Sequence, residues 1–265
     1  MSETFEGESV VAHNKRAWDK LARANNQWSV PVDRDVNARA RNGALSLLLT
    51  PTTPVPATWL GDVRGKRVLG LACGGGQQGP CLAAAGADVT IFDNSPVQLS
   101  RDAEVAAREG LSITLVEGDM RDLSAFADET FDLIFHPCSN CFVPSIRPVW
   151  REAYRVLKRG GALLSGFVNP VVFMLDLAAE REGAVVLKYR APFSPADYPD
   201  DAELLALRAD DGTLEYGHTL GDQIGGQTDA GFVIAEMYED GWPDDPSPIH
   251  RLMNCYVATR AIKRA

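Results

Sequence analysis

Short apolar runs broken by glycine turns alternate with longer amphipathic stretches along most of this 265-residue chain, a rhythm that predicts an α/β protein. Residues 68–72 form an apolar run long enough for one buried strand. Gly74, Gly75 and Gly76 follow, where no side chain blocks a close approach. Residues 80–85 are alanine-rich and read as a helix that Gly86 ends. Residues 89–92 are a second apolar run, with Asp93 at its end. A β-loop-α-β unit of this kind sets the glycine loop and the acid side by side at the carboxyl edge of a parallel sheet, where open α/β sheets bind ligands.

The pattern continues. Residues 96–109 read as a helix ended by Gly110, and residues 112–116 as a third strand by their alternation and β-branched content. Residues 131–135 make the fourth strand, with Asp128-Glu129 as its turn. A helix over residues 146–158 is expected to end on Gly160 as a left-handed cap, before a fifth strand at 162–168. A helix over 220–230 leads into a sixth strand that starts at 231–234, and residues 242–248 are a loop rich in Asp and Pro before a last strand at 254–261.

Two regions depart from the rhythm. Ahead of the sheet, residues 10–24 predict an amphipathic helix with Val11, Trp18, Leu21 and Ala22 near helical spacing, and residues 36–49 a second helix weakened by Gly43. Pro51, Pro54 and Pro56 form a linker. The first helix reads equally as a cover over the sheet edge or as a helix packed on the sheet by Trp18 and Leu21, and removal of residues 1–50 is expected to leave a folded sheet domain. After the fifth strand, residues 169–211 interrupt the pattern; 185–189 and 214–218 are strand-like and read as a small antiparallel addition over the pocket. Insertions at this edge usually carry ligand specificity.

Composition narrows the function classes. At 45% hydrophobic and 23% charged the chain is of ordinary soluble globular type. A net charge of −10 argues against a general nucleic-acid surface, which needs a basic stripe. The N-terminus is too acidic and polar for a signal peptide, and the most apolar segment, 161–179, is broken by Asn169-Pro170 and Asp176, so no membrane span is expected. Five irregularly spaced cysteines suit reduced thiols in a cytoplasm. Nothing in the sequence sets an oligomeric state.

The glycine loop admits two nucleotide readings. Gly74, Gly76 and Gly79 spell GxGxxG with Asp93 about twenty residues on, as a dinucleotide fingerprint asks. Alternatively, Val68-Leu69-Gly70-Leu71-Ala72-Cys73-Gly74-Gly75-Gly76 resembles the V-L-D-L-G-C-G-T-G loop of class I S-adenosylmethionine-dependent methyltransferases of the small-molecule type. The strand's apolar phase favours the second alignment, because the turn then starts directly after the strand. Gly70 stands where that family has an acid and Ala72 where it has its first glycine; alanine is a mild replacement only if φ is not positive there. Further resemblances follow in order: Gly118-Asp119-Met120 is similar to the family's G-D-hydrophobe corner, 131–135 to its F-D-x-h-h strand, Val156-Leu157-Lys158-Arg159-Gly160-Gly161 to V-L-K-P-G-G, and Ala230-Gly231-Phe232 to the A-G-F before strand six.

The resemblance implies a Rossmann-like seven-stranded sheet, mostly parallel with an antiparallel last strand, helices on both faces and an N-terminal helical lid. It implies one domain over 1–265: a lid and linker at 1–60, a cofactor-binding half at 61–170, an acceptor-side insertion at 171–220 and C-terminal strands at 221–265. S-Adenosylmethionine is the implied cofactor, with S-adenosylhomocysteine as product and a small molecule as acceptor. Its implied binding residues are Ala72, Cys73, Gly74 and Gln77 in the loop, Asp93 and Asn94 at the ribose, Gly118, Asp119 and Met120 at the adenine, and His136 and Pro137 at the methionine end. An NAD(P)-dependent oxidoreductase and a non-catalytic adenosyl-ligand-binding protein are the alternatives. His136 and His218 are the candidate bases, each equally readable as a structural histidine. Asp222 reads as a helix-start residue. Cys138-x-x-Cys141 lacks the second ligand pair that a zinc site wants, so no metal is expected.

Overall fold

A computed structural model describes residues 4–5, 8–209 and 212–265 of the chain. The first few residues of the expected lid and the end of the expected irregular stretch, Asp210-Asp211, lie outside the described residues. Seven strands form one sheet: β1 Arg67–Leu71, β2 Asp88–Asp93, β3 Ile113–Glu117, β4 Phe131–His136, β5 Leu157–Val168, β6 Phe232–Asp240 and β7 Tyr256–Lys263. Their spatial order is β3-β2-β1-β4-β5-β7-β6. β1 to β5 are mutually parallel, and β7 runs antiparallel to both β5 and β6. The strand order reverses between β1 and β4, so the crevice at their carboxyl ends is the switch point where such sheets bind ligands.

Local chemistry explains most boundaries. Helix α4, Pro96–Glu109, follows α1 Val10–Arg23, α2 Arg34–Arg41 and α3 Gln78–Ala84. It starts on Ser95, whose side chain accepts from Gln98 N at 3.1 Å, has proline in its first turn and stops at Gly110 with φ +64°. Helix α5, Arg147–Val156, packs Val149, Trp150, Ala153 and Val156 into the core. Two apolar layers sandwich the sheet. One contains Leu82, Val89, Ile91 and Leu133, and the other Phe92, Ile134, Trp150 and Leu163.

Four expectations change. The second lid helix is α2, ending before Gly43, whose φ of +85° only glycine adopts cheaply; residues 47–49 are not helical, and Leu48 bridges Pro54. α5 ends at Val156, because Leu157 is already extended (ψ 136°) and begins β5. Gly160, at φ +75°, therefore does not cap the helix; it lies in a bulge where the pairing jumps from Phe131–Leu157 to Leu133–Ala162. The strand-like stretches of the insertion form no small sheet, only isolated bridges Leu175–Leu187 and Phe193–Gly217 around a cluster of Tyr189, Phe193 and Tyr198. Finally, Ala40, Leu47 and Leu49 belong to the main core, so removing residues 1–50 would leave a hole in the sheet domain rather than a clean edge.

Candidate active site

The carboxyl ends of β1, β2 and β3 bring a turn, an acid and a second corner together. Ala72 N donates to Phe92 O at 2.7 Å, and Gly118 N donates to Asp93 O at 3.0 Å, so the three strand ends are tied by backbone. Asp93 accepts from Gly74 N and from Ser95 N, both at 2.9 Å. Burial raises the pKa of its carboxyl, and these amide donors oppose that rise. Glycine is required at two of these points. A Cβ on Gly74 would lie 2.8 Å from Gln98 Cβ and 3.1 Å from Asp93 Oδ2, and one on Gly118 would lie 2.3 Å from the Phe92 ring.

The far side of the loop is held by a residue whose role the sequence does not announce. Asp102 on α4 is fully buried, and its Oδ2 accepts from Gly75 N at 3.0 Å and Gly76 N at 3.2 Å. Burial pushes its carboxyl up to about 7. The one signal is an acid on the apolar stripe of a helix, three residues from both Leu99 and Val105. Two of the loop amides that a diphosphate would use are thus already bonded within the protein.

A cavity of about 310 Å³ opens over this edge. Its walls include Ala72, Cys73, Gly74, Gln77, Asp93, Asn94, Gly118, Asp119, Met120 and Pro137, so ten of the eleven residues expected at a cofactor meet in one place. Asp119 is held by Arg121, whose Nη2 lies 2.7 Å from Oδ2 and whose backbone N donates to Oδ1 at 3.0 Å. His136 is the exception and is withdrawn from both of its expected roles. It is fully buried outside the cavity wall, with Nδ1 2.8 Å from Leu71 O and Nε2 2.6 Å from Asn140 Oδ1. Burial lowers its pKa, and it is a core histidine beside Trp150 with no face toward the cavity. His218 is likewise withdrawn as a base: it is 2% exposed and places Nε2 within 3.0 Å of Asn140 O and 2.9 Å of Val143 O, where it holds the loop after β4. Asp222 sits in the first turn of its helix, bonded by Arg147 Nε at 2.7 Å and Thr219 Oγ1 at 2.9 Å.

The remaining walls come from distant parts of the chain. α1 contributes Val11, Asn14 and Trp18; its most buried residues are Val10, Asn14, Ala17 and Ala22, so the helix is turned about one residue from the expected stripe and shows Val11 and Trp18 to the cavity. Asn14 Nδ2 donates to Phe142 O (2.8 Å) and Leu214 O (3.0 Å), while Leu214 N donates to Asn14 Oδ1 (2.7 Å). One buried side chain thereby ties the N-terminal helix to the loop after β4 and to the insertion. Trp18 stands edge-on to Phe142, and Trp28 edge-on to Trp242. Glu215 also lines the cavity. The sequence hides it because only its register gives it away: Leu214 and Tyr216 are buried, so the residue between them faces the other way. The thiols of Cys138 and Cys141 also line it, and burial pushes both pKa values up, against the thiolate that redox or metal chemistry uses. No group of three His, Cys, Asp or Glu among the described residues is placed to hold a metal ion.

The chain matches a family model described as a methyltransferase domain over residues 69–165. It is 48% identical to an uncharacterized methyltransferase, YbaJ, of Bacillus subtilis over 96% of this chain and 99% of that protein. The chain belongs to the class I S-adenosylmethionine-dependent methyltransferases. Among solved structures, an S-adenosylmethionine-dependent methyltransferase from Mesorhizobium loti superposes with TM-score 0.59 at 18% identity, covering 86% of this chain and 99% of the other. The [4+2]-cyclase SpnF superposes equally well, TM-score 0.59 at 16% identity over 95% of each chain. The sheet of this methyltransferase has the seven strands and the antiparallel last strand expected of its family, and no helix among its described residues is long and apolar enough to cross a membrane.

Proposed function

We propose that this chain binds S-adenosylmethionine across the ends of β1, β2 and β3 and methylates a small molecule held between that edge and the N-terminal helix. The observation that carries this reading is the convergence of ten expected cofactor residues, from three strand ends and the loop after β4, on one cavity. Asp93 would accept from the ribose hydroxyls, Asp119 from the adenine amino group, and Met120 would lie along the ring. The residues fit such a ligand: Gly74 and Gly118 present bare backbone in the cavity wall, and an added Cβ there would press on Gln98, Asp93 or the Phe92 ring that shape it. When bound, the cofactor supplies a methyl already activated on a sulfonium. The protein's part is to align the acceptor and to exclude water. Trp18, Phe142, Trp28 and Trp242 are suited to that exclusion, since they pair across the opening between the N-terminal segment and the sheet domain.

The dinucleotide alternative loses its main support. A pyrophosphate needs free amides in the glycine loop, and here Gly75 N and Gly76 N are bonded to the Asp102 carboxylate. A non-catalytic adenosyl-ligand sensor would keep Asp93 and Asp119 but turn nothing over, and methyl transfer to any acceptor separates it from the enzyme. The test is thermal melting with S-adenosylhomocysteine and with nicotinamide dinucleotides at equal concentration. S-Adenosylhomocysteine is expected to raise Tm and the dinucleotides to leave it unchanged; stabilisation by a dinucleotide alone rejects the proposal.

A further inference from the structure

The cofactor candidates leave part of the cavity unaccounted for: Trp18, Trp28, Trp242, Tyr256, Cys138 and Glu215. Among the described residues no Lys, Arg or His lines the cavity, while three carboxylates do, those of Asp93, Asp119 and Glu215. The first two are already answered. Asp93 accepts from two backbone amides, and Asp119 is paired with Arg121. Glu215 accepts from the Thr213 hydroxyl at 3.0 Å, and no salt bridge to it is found among the described residues. Its environment raises the pKa of the carboxyl through burial, the mark of a charge short of a partner. An apolar cavity that holds an uncompensated carboxylate under aromatic walls favours a cation and rejects an anion.

We propose that the methyl acceptor is an amine, and that Glu215 binds its ammonium form and takes its proton. This rests on the methyltransferase function proposed above. The acceptor nitrogen enters protonated and pairs with the Glu215 carboxylate, with Trp18, Trp28, Trp242 or Tyr256 against its apolar part. Its proton passes to Glu215. The freed lone pair forms the N–CH₃ bond as the C–S bond breaks, and the electron pair of that bond stays on sulfur. Glu215 then returns the proton to solvent. An acceptor whose nucleophile is a carboxylate or a phosphate would instead face the unpaired Glu215 carboxylate with no Lys, Arg or His in the described wall, and is disfavoured on charge. Thr213 is a positioning residue: its hydroxyl occupies one carboxylate oxygen and leaves the other for the substrate.

The test uses the full chain saturated with S-adenosylhomocysteine and a matched set of probes: tryptamine, phenethylamine and their N-methyl derivatives, against the corresponding alcohols and carboxylic acids. Members of the amine set are expected to raise Tm further, the alcohols weakly or not at all and the acids not at all. Glu215→Gln keeps the shape and loses the charge, and should weaken amine binding by roughly tenfold while leaving the response to S-adenosylhomocysteine as it was. With S-adenosylmethionine and any amine that is turned over, the same change should lower kcat by roughly 10²–10⁴-fold, with partial recovery in Glu215→Asp. Three results with the probe set overturn the proposal. They are stabilisation by the acids or alcohols equal to that by the amines, no stabilisation by any amine, and amine binding untouched in Glu215→Gln. Loss of the S-adenosylhomocysteine response in Glu215→Gln also overturns it and assigns Glu215 to the cofactor's own ammonium. Absence of that response in the unaltered protein marks failure of the methyltransferase function itself.

Discussion

The two sides of the cavity are built by different rules. On the cofactor side, every candidate lies within a few residues of the end of β1, β2, β3 or β4, and neighbouring strand ends are bonded directly, Ala72 to Phe92 and Gly118 to Asp93. On the acceptor side, Asn14 bonds Leu214, two hundred positions away along the chain, and the insertion carries isolated bridges and short helical turns instead of a sheet. The first side is fixed by local strand-turn geometry that any sequence of this fold repeats. The second is fixed by a handful of long-range contacts that can change without disturbing the sheet. That division suits a cofactor that stays the same and an acceptor that differs from one protein to another.

The largest effect should come from breaking the cofactor side at Asp93. Asp93→Ala removes the acceptor for Gly74 N and Ser95 N as well as the proposed ribose contacts. Hydrogen bonds to a charged group are worth roughly 1.5–3 kcal/mol each, so S-adenosylhomocysteine affinity should fall roughly ten- to a hundredfold. Stability should fall too, which the sequence alone did not suggest, because two amides lose their partner. Calorimetry that finds unchanged affinity would remove Asp93 from the ribose site.

Asp102 sharpens the same side through pH. Its carboxyl, pushed up to about 7 in the folded protein, sits near 3.9 when unfolded. The native state therefore holds a proton that the unfolded state has lost between those values, and stability falls as pH rises from about 4 to about 7. Asp102→Asn keeps an oxygen for the Gly75 and Gly76 amides and removes the titration. The variant should lack this fall and gain on the parent as pH rises through that window. The gain should be a few kcal/mol, because each tenfold difference in proton affinity between the two states is worth about 1.4 kcal/mol. Melting curves of the two proteins that stay parallel from pH 4 to 8 would contradict the assignment.

What was legible in the sequence follows the same divide. α4 was readable to the residue because Ser95, Pro96 and Gly110 are all local signals. The seven strands were readable, and ten of the eleven residues named for a cofactor meet on one cavity, because motifs at strand ends recur in order. The failures needed information from elsewhere in the chain. His136 looked like a pocket residue because it stands at the carboxyl end of β4, yet the side chain turns inward to Leu71 and Asn140. Residues 47–49 carried helix-compatible leucines, but they lie against the sheet, with Leu49 O accepting from Cys138 N. Glu215 and Asp102 are acids whose meaning depends on which face is buried, and periodicity offers that only once the element's register is known.

A smaller effect is expected from the acceptor side at Asn14. Asn14→Ala leaves Leu214 N and the carbonyls of Phe142 and Leu214 without their partner in a buried place. The cost should be roughly 2–3 kcal/mol. Because the sheet does not depend on it, the loss should show as faster proteolysis within residues 8–30 and weaker acceptor binding, while S-adenosylhomocysteine still raises Tm. If cofactor binding collapsed with the acceptor side, the two sides would be one cooperative unit and the contrast between them would be wrong.

The smallest effect returns to the loop, at Ala72. The family resemblance put glycine there, and alanine was acceptable only with negative φ; in the structure φ is +47°. A left-handed conformation costs a non-glycine residue roughly 1–2 kcal/mol, and glycine's extra freedom in the unfolded chain returns about 0.5–1 kcal/mol of that. The Ala72 methyl also packs partly against the layer that contains Leu71 and Phe92. Ala72→Gly should therefore stabilise by less than about 1 kcal/mol, a rise in Tm of roughly 1–3 °C for a chain of this size. Ala72 N still donates to Phe92 O whichever residue stands there, so the strand-end geometry and S-adenosylhomocysteine affinity should be unchanged. A fall in Tm would mean that the methyl's contacts outweigh the strain. The positive φ would then be a conformation the surrounding loop imposes at little cost, held by Asp93 and Asp102 from either side.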